Sequence, residues 1–301
     1  MNWEKLSKYF LALSVLFIGL SSCGNHSADV DDIDDIDDFD ELTSLVEDTV
    51  HTKKVKKIFY NVPSPIEMAN LMQKAGVEYR KDILNPISNK DNYTLIADIA
   101  LNLGVYGADL SYTRMFDQIQ QSVAYLSAIR TLSDALGIPQ EAGSSTISKM
   151  EDNMDNRDSL LQIITDTYSS ADIYLKENDR GNTATLIIVG GWVEALYIAT
   201  QVSGDNKLIY ERIAEQKYAL NNLIELIKTY NDESLVEILP KLENLKDVFD
   251  GIEITYTRGE VKTDKKTKST IIESKAEINI SKEQINTITE KIEKIRKEIV
   301  N

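Results

Sequence analysis

The chain has 301 residues, a formal charge of −16, two His and one Cys. Counting alone excludes a disulfide framework and a Cys/His zinc site. A chain this acidic is also poorly suited to phosphate-backbone contact, so no nucleic-acid partner is expected. At 42% apolar and 27% charged, the composition suits one large globular domain or two small ones.

Lys5 and Lys8 precede an unbroken apolar or small stretch from Phe10 to Leu20. That stretch is too short to span a bilayer and fits the h-region of a secretory signal. It ends in Leu20-Ser21-Ser22-Cys23, which resembles the lipobox of bacterial lipoproteins. The resemblance implies cleavage after residue 22 and lipidation of Cys23, the only Cys. Acyl chains on that residue imply a membrane anchor without a spanning helix.

A tether over residues 23–57 is expected to follow. Asp29 to Glu41 reads DVDDIDDIDDFDE, nine acids in thirteen residues, and without them the net charge is −7. Three readings stay open: a solvated spacer, a calcium-binding run, and a sorting signal. The last rests on a resemblance to the surface-export signals of Bacteroidota lipoproteins. Lys53, Lys54, Lys56 and Lys57 then reverse the sign at the entrance to the body of the chain.

Residues 58–250 read as an α-helical domain. Ser64-Pro65-Ile66-Glu67 is a helix start, and Gly76 its expected end. Asn85-Pro86 opens a loop to about Asn92, and a long apolar helix begins near Tyr93. The next helix places Ile119, Val123, Leu126, Ile129, Ser133 and Leu136 on one face, and Gly137-Ile138-Pro139 ends it. Ala142 to Asn156 is polar, a loop or exposed short helix. Further helices are expected over about Asp158–Lys176, Thr183–Val202, Lys207–Tyr230 and Glu233–Phe249. Pro240 should kink the last, and Asp250-Gly251 should end it.

Residues 251–301 read as a β-hairpin and a terminal helix packed on the helical domain. Ile252–Thr257 and Thr270–Ile280 alternate with period two, and Lys262–Lys268 reads as the turn. Ser281-Lys-Glu-Gln284 is a capping box. It opens an amphipathic helix on Ile285, Ile288, Ile292, Ile295 and Ile299. The fold class expected is mainly α: packed helical hairpins with a small C-terminal hairpin and helix.

Two helices carry ridges of small residues, Ala100-Gly104-Ala108 and Gly191-Ala195-Ala199. Such ridges admit close helix approach, and mid-helix Gly costs about 1 kcal/mol relative to Ala unless packing offsets it. A duplicated hairpin is one reading. A shift of 87 aligns the ridges, whereas a shift of 85 aligns Asp109-x-x-Tyr112 with Glu194-x-x-Tyr197.

From Ile58 onward there is no His and no Cys, which excludes a Ser-His-Asp triad or a Cys nucleophile in the body. Gly190-Gly191 lacks the pattern of a phosphate loop. No cofactor, metal site or catalytic residue is assigned. Asp109 and Glu194 are conspicuous because each sits within an apolar helix, where charge is costly. With Tyr112, Arg114, Trp192 and Tyr197 they form a candidate pocket. They could equally be buried carboxylates satisfied by Tyr hydroxyls or Arg114, with Trp192 a core aromatic, or lie on an exposed helix face.

The overall organisation resembles helical lipoproteins of Bacteroidota. The resemblance implies an outer-membrane protein facing the periplasm or the cell surface. The function expected is non-enzymatic binding or scaffolding with a protein or glycan partner. The alternative is a carboxylate-based enzyme acting on glycans, which needs two carboxylates facing a sugar.

Overall fold

A computed structural model describes residues 74–139, 173–230, 232–264 and 269–301, with isolated positions between 149 and 163. The helix start at Ser64, the segments before it and most of residues 140–172 lie outside the described residues. Gly76 sits at φ +67, a left-handed turn that only Gly adopts without strain, where the first helix was expected to end.

The fold is mainly α, with one small antiparallel sheet. In chain order, the regular elements after two short 3-10 turns (Lys81–Ile83 and Ile87–Asp91) are α1 Ile96–Met115, α2 Ile119–Ala135, α3 Gly181–Val202, α4 Lys207–Ile227 and α5 Glu233–Asp250. Strands β1 Glu253–Asp264 and β2 Ser269–Asn279 follow, and α6 Lys282–Val300 closes the sequence. Residues 173–177 are helical, the end of the helix expected to reach Lys176.

The helix boundaries follow local chemistry. Asn206 accepts from the Leu208 and Ile209 amides at the start of α4, and Asp232 accepts from the Ser234 amide at the start of α5. Ser281 and Gln284 make the reciprocal capping box of α6. At the end of α2, Gly137 has φ +65. The Ile138 amide bonds back to Ser133 O and the Gly137 amide to Asp134 O, while the Ile138 side chain is buried. That is the Schellman arrangement expected from Gly-Ile-Pro. Pro240 lies exposed within α5, and the helix continues through it.

α3 is the central helix. It is long and apolar enough to cross a membrane by length and composition, but most of it is buried by α1, α4 and α6. Its contact with α1 is the most extensive between helices and depends on glycine. A Cβ on Gly104 would fall 2.0 Å from Ile187 O, and one on Gly190 would fall 1.9 Å from Leu101 O. Both are backbone atoms, which cannot swing aside. Gly191 is less confined, with Gly104 O at 3.4 Å from its would-be Cβ. The small ridge expected on α3 is therefore one residue out of phase. Gly190 makes the tight contact, and Ala195 points to solvent.

The buried face of α2 also differs from the expected one. Ile119 and Val123 are 43% and 51% exposed, while Ser122, Tyr125, Leu126, Ala128 and Leu132 are buried. Ser122 turns inward because its hydroxyl bonds Thr113 Oγ1 at 3.0 Å, and its small size lets α2 lie close to α1. Tyr125 turns inward because its hydroxyl reaches Asn85 O at 3.0 Å. Two specific polar partners here outweigh two aliphatic side chains.

β1 runs on to Asp264, well beyond Thr257, through a register shift between Arg258 and Val261. Lys262 to Asp264, expected as the start of the turn, are therefore strand, and the rest of the expected turn, residues 265–268, lies outside the described residues. At the base of the hairpin, Ile252 is buried, and Ile254, Ile278 and Ile280 pack against the core. Lys217 Nζ donates to Asp250 O (3.2 Å) and Ile252 O (3.0 Å), tying the α5–β1 turn to α4. All five isoleucines named for α6 are buried, against α3, α5 and α1.

Candidate functional site

Asp109 and Glu194 meet. Leu101 lies beside Gly190, Gly104 beside Gly191 and Asp109 beside Glu194, so α1 and α3 run in the same direction where they touch. The glycine contacts draw the two backbones together. About one turn further on, the two acids face each other in the interface.

Both carboxyl groups are fully buried. Glu194 is met by Arg296 of α6, with Nε to Oε2 at 2.9 Å and Nη2 to Oε1 at 3.0 Å. Such a two-pronged pair is the strong geometry for a guanidinium and a carboxylate. Arg296 Nη2 also donates to Ile83 O at 3.2 Å, and its guanidinium lies 4.5 Å from the centre of the Tyr197 ring. Both contacts orient the cation. Burial pushes the Glu194 pKa up, and Arg296 pulls it back toward the ionised form.

Asp109 has no such partner among the described residues. Its Oδ2 accepts from the Asn85 amide at 3.2 Å, while its Oδ1 receives no hydrogen bond among the described residues. Burial, followed by the neighbouring Glu194 charge, holds its pKa well above the usual carboxylate range. Asn85 is the hub of the surrounding polar network. Its Nδ2 donates to Tyr93 Oη (3.0 Å) and Asn102 Oδ1 (3.3 Å), and its Oδ1 accepts from Asn89 (2.9 Å). Asn102 Nδ2 then reaches Ile299 O at 2.8 Å, and Tyr93 Oη reaches Val300 O at 3.2 Å. Side chains of the loop and of α1 thus satisfy the last carbonyls of α6, which no helical amide can reach.

Of the candidate residues, Asp109, Glu194 and Tyr197 come together. Tyr112 lies to one side, accepting the Arg80 amide at 3.1 Å and stacking on Tyr79. Arg114 is buried in α1, but the guanidinium that reaches Glu194 belongs to Arg296. Five residues along a helix turn Arg114 roughly 140° away from Asp109. Trp192 is buried toward α4, where its indole donates to Gln216 Oε1 at 3.2 Å. Being two residues before Glu194, it faces the other way. Trp192 and Arg114 are core residues of other faces, not members of one pocket.

Arg296 and Asn85 were not singled out in the sequence. Arg296 carried a signal: it is the only Arg in α6, four residues after Ile292 and three before Ile299, within the apolar stripe. Asn85 carried none beyond its place before Pro86. Among the described residues no group of three or more His, Cys, Asp or Glu is placed to hold a metal ion. A surface depression between α4 and α5, lined by Ile224, Glu225, Lys228, Glu243, Lys246 and Asp247, is separate from the pair. Its charges are partly matched internally, as by Lys228 and Glu243 at 2.8 Å.

Comparisons with family models, curated proteins and solved structures find no match to this chain.

Proposed function

We propose that this chain is a membrane-tethered, non-enzymatic binding or scaffolding lipoprotein. It is anchored through a lipid on Cys23 at the outer membrane, facing the periplasm or the cell surface. The observation that supports the non-enzymatic part is the burial of both Asp109 and Glu194. Glycoside cleavage requires two carboxylates open to a sugar. Here both are sealed in a helix interface, and Glu194 is already engaged by Arg296. The arrangement suits a rigid scaffold, in which α1, α3 and α6 are fixed to one another and outer surfaces meet a protein or glycan. The tether rests on Leu20-Ser21-Ser22-Cys23 and on Cys23 being the only Cys.

Expression of the parent and of Cys23→Ala in a diderm bacterium with a fatty-acid probe tests this reading. Label on the parent alone, with release or retention of an unprocessed precursor for Cys23→Ala, is the expected result. Equal label on both rules out the anchor. Capture from native membranes then identifies what the body of the protein binds.

A further inference from the structure

Three ionisable groups share the α1–α3–α6 junction, and if all were ionised their charges would not balance. Arg296 brings one positive charge to two buried carboxyl groups. Arg296 is committed by two hydrogen bonds to Glu194, which leaves Asp109 without an ion pair of its own among the described residues. Asp109 Oδ1, the oxygen not bonded to Asn85, receives no hydrogen bond among the described residues, and the Asp109 carboxyl group neighbours that of Glu194. An ionised carboxylate can only accept, so two ionised carboxylates in contact would repel. A protonated Asp109 instead has a donor where the neighbouring atom is an acceptor.

We propose that the Asp109–Glu194 pair holds one proton at neutral pH, carried on Asp109 and donated to Glu194, and that this proton latches α6 onto α1 and α3. The other groups around the pair leave the assignment intact. Tyr125 from α2, Tyr79 from the preceding segment and Tyr106 on α1 are all shifted upward by burial, Tyr79 to about 12, so they stay neutral. From α3, Tyr197 is likewise shifted upward and lies under Arg296. From α6, Arg296 is the facing cation. Arg80 is engaged with exposed Asp82. Burial and the Glu194 charge shift Asp109 in the direction the proposal requires.

The sign of the pH effect follows. Asp109 holds its proton more tightly when the junction is closed than when it is open. Raising the pH therefore favours the open form. The latch is in full force at low pH, weakens as pH rises above the ordinary carboxylate range, and is lost above the raised value in the closed form. Within that window the opening constant of α6 should rise about tenfold per pH unit, one proton being released.

Infrared spectra of the full chain in D2O at neutral pH test the proton directly. The parent should show the carbonyl stretch of one protonated carboxylic acid. Asp109→Asn should lack it. Glu194→Gln should lack it too, because Asp109 then becomes the counter-ion of Arg296 and ionises. No such band in the parent overturns the proposal, as does a band that survives either substitution. Hydrogen exchange tests the latch, with intrinsic rates corrected for pH. Protection across α6 should fall with rising pH in the parent and stay level in Asp109→Asn, whose amide can still donate to Glu194. Parallel profiles for the two proteins overturn the latch even if the proton is present.

Discussion

Arg296 of α6 grips Glu194 of α3 through two hydrogen bonds, and Asp109 of α1 neighbours the same carboxylate. Three elements widely separated in sequence are joined at one point. The glycine-dependent approach of α1 to α3 makes that junction possible. Once α6 adds its guanidinium, two carboxyl groups that are costly to bury singly become part of one polar network.

Arg296→Met removes the cation and leaves two buried carboxyl groups facing each other. Breaking a buried pair from one side typically destabilises by about 3–5 kcal/mol. That loss is expected at neutral pH and should shrink as pH falls, because Glu194 can then take up a proton. Denaturant titrations of parent and variant at two pH values measure it. A cost that is the same at both contradicts the prediction.

The helix crossing predicts a difference between adjacent glycines. Gly104→Ala and Gly190→Ala each drive a methyl group into backbone, and each should cost about 1–3 kcal/mol or more. Gly191→Ala meets only ordinary contact and removes a helix-interior Gly, so it should change stability by less than about 1 kcal/mol in either direction. Thermal melts of the three single variants decide the matter. Equal losses at Gly190 and Gly191 would place the crossing wrongly.

Asn85→Ala takes from buried Asn102 Oδ1 the donor it has among the described residues, and from Asn89 and Tyr93 one partner each. Buried polar groups left without partners cost roughly 1–3 kcal/mol each, so a loss at least that large is expected. Arg80→Ala, which breaks an exposed pair with Asp82, should leave the melting temperature essentially unchanged. Melting temperatures of the two variants test the contrast. A similar small effect from both would show that the Asn85 network is not holding the loop to α1.

Much of the fold is legible in the sequence where one local rule acts alone. The Gly137-Ile138-Pro139 stop, the Ser281–Gln284 capping box and the five-isoleucine stripe of α6 each depend on a few neighbouring residues, and each forms as read. The misreadings occur where tertiary contacts select among local possibilities. Ile119 and Val123 are as apolar as any core position, yet the hydroxyls of Ser122 and Tyr125 turn α2 the other way. Gly190 and Gly191 are indistinguishable in sequence, and only the position of Leu101 O separates them. The acid pair was visible because a carboxylate in an apolar helix is conspicuous. Its cation was harder to find because it lies 102 residues from Glu194, on a helix rich in Lys.

Whether the buried acids serve structure or chemistry is decided by combining activity with stability. The parent, Asp109→Asn and Glu194→Gln should be incubated with a panel of glycans, with and without divalent ions, and release of reducing ends followed. Thermal melts should be recorded on the same samples. The account predicts no release by any of the three, near-parent stability for Asp109→Asn, and a lowered melting temperature for Glu194→Gln as Arg296 exchanges its two-bond partner for an ionised, buried Asp109. Sugar release by the parent that both substitutions abolish, with both variants as stable as the parent, would contradict it.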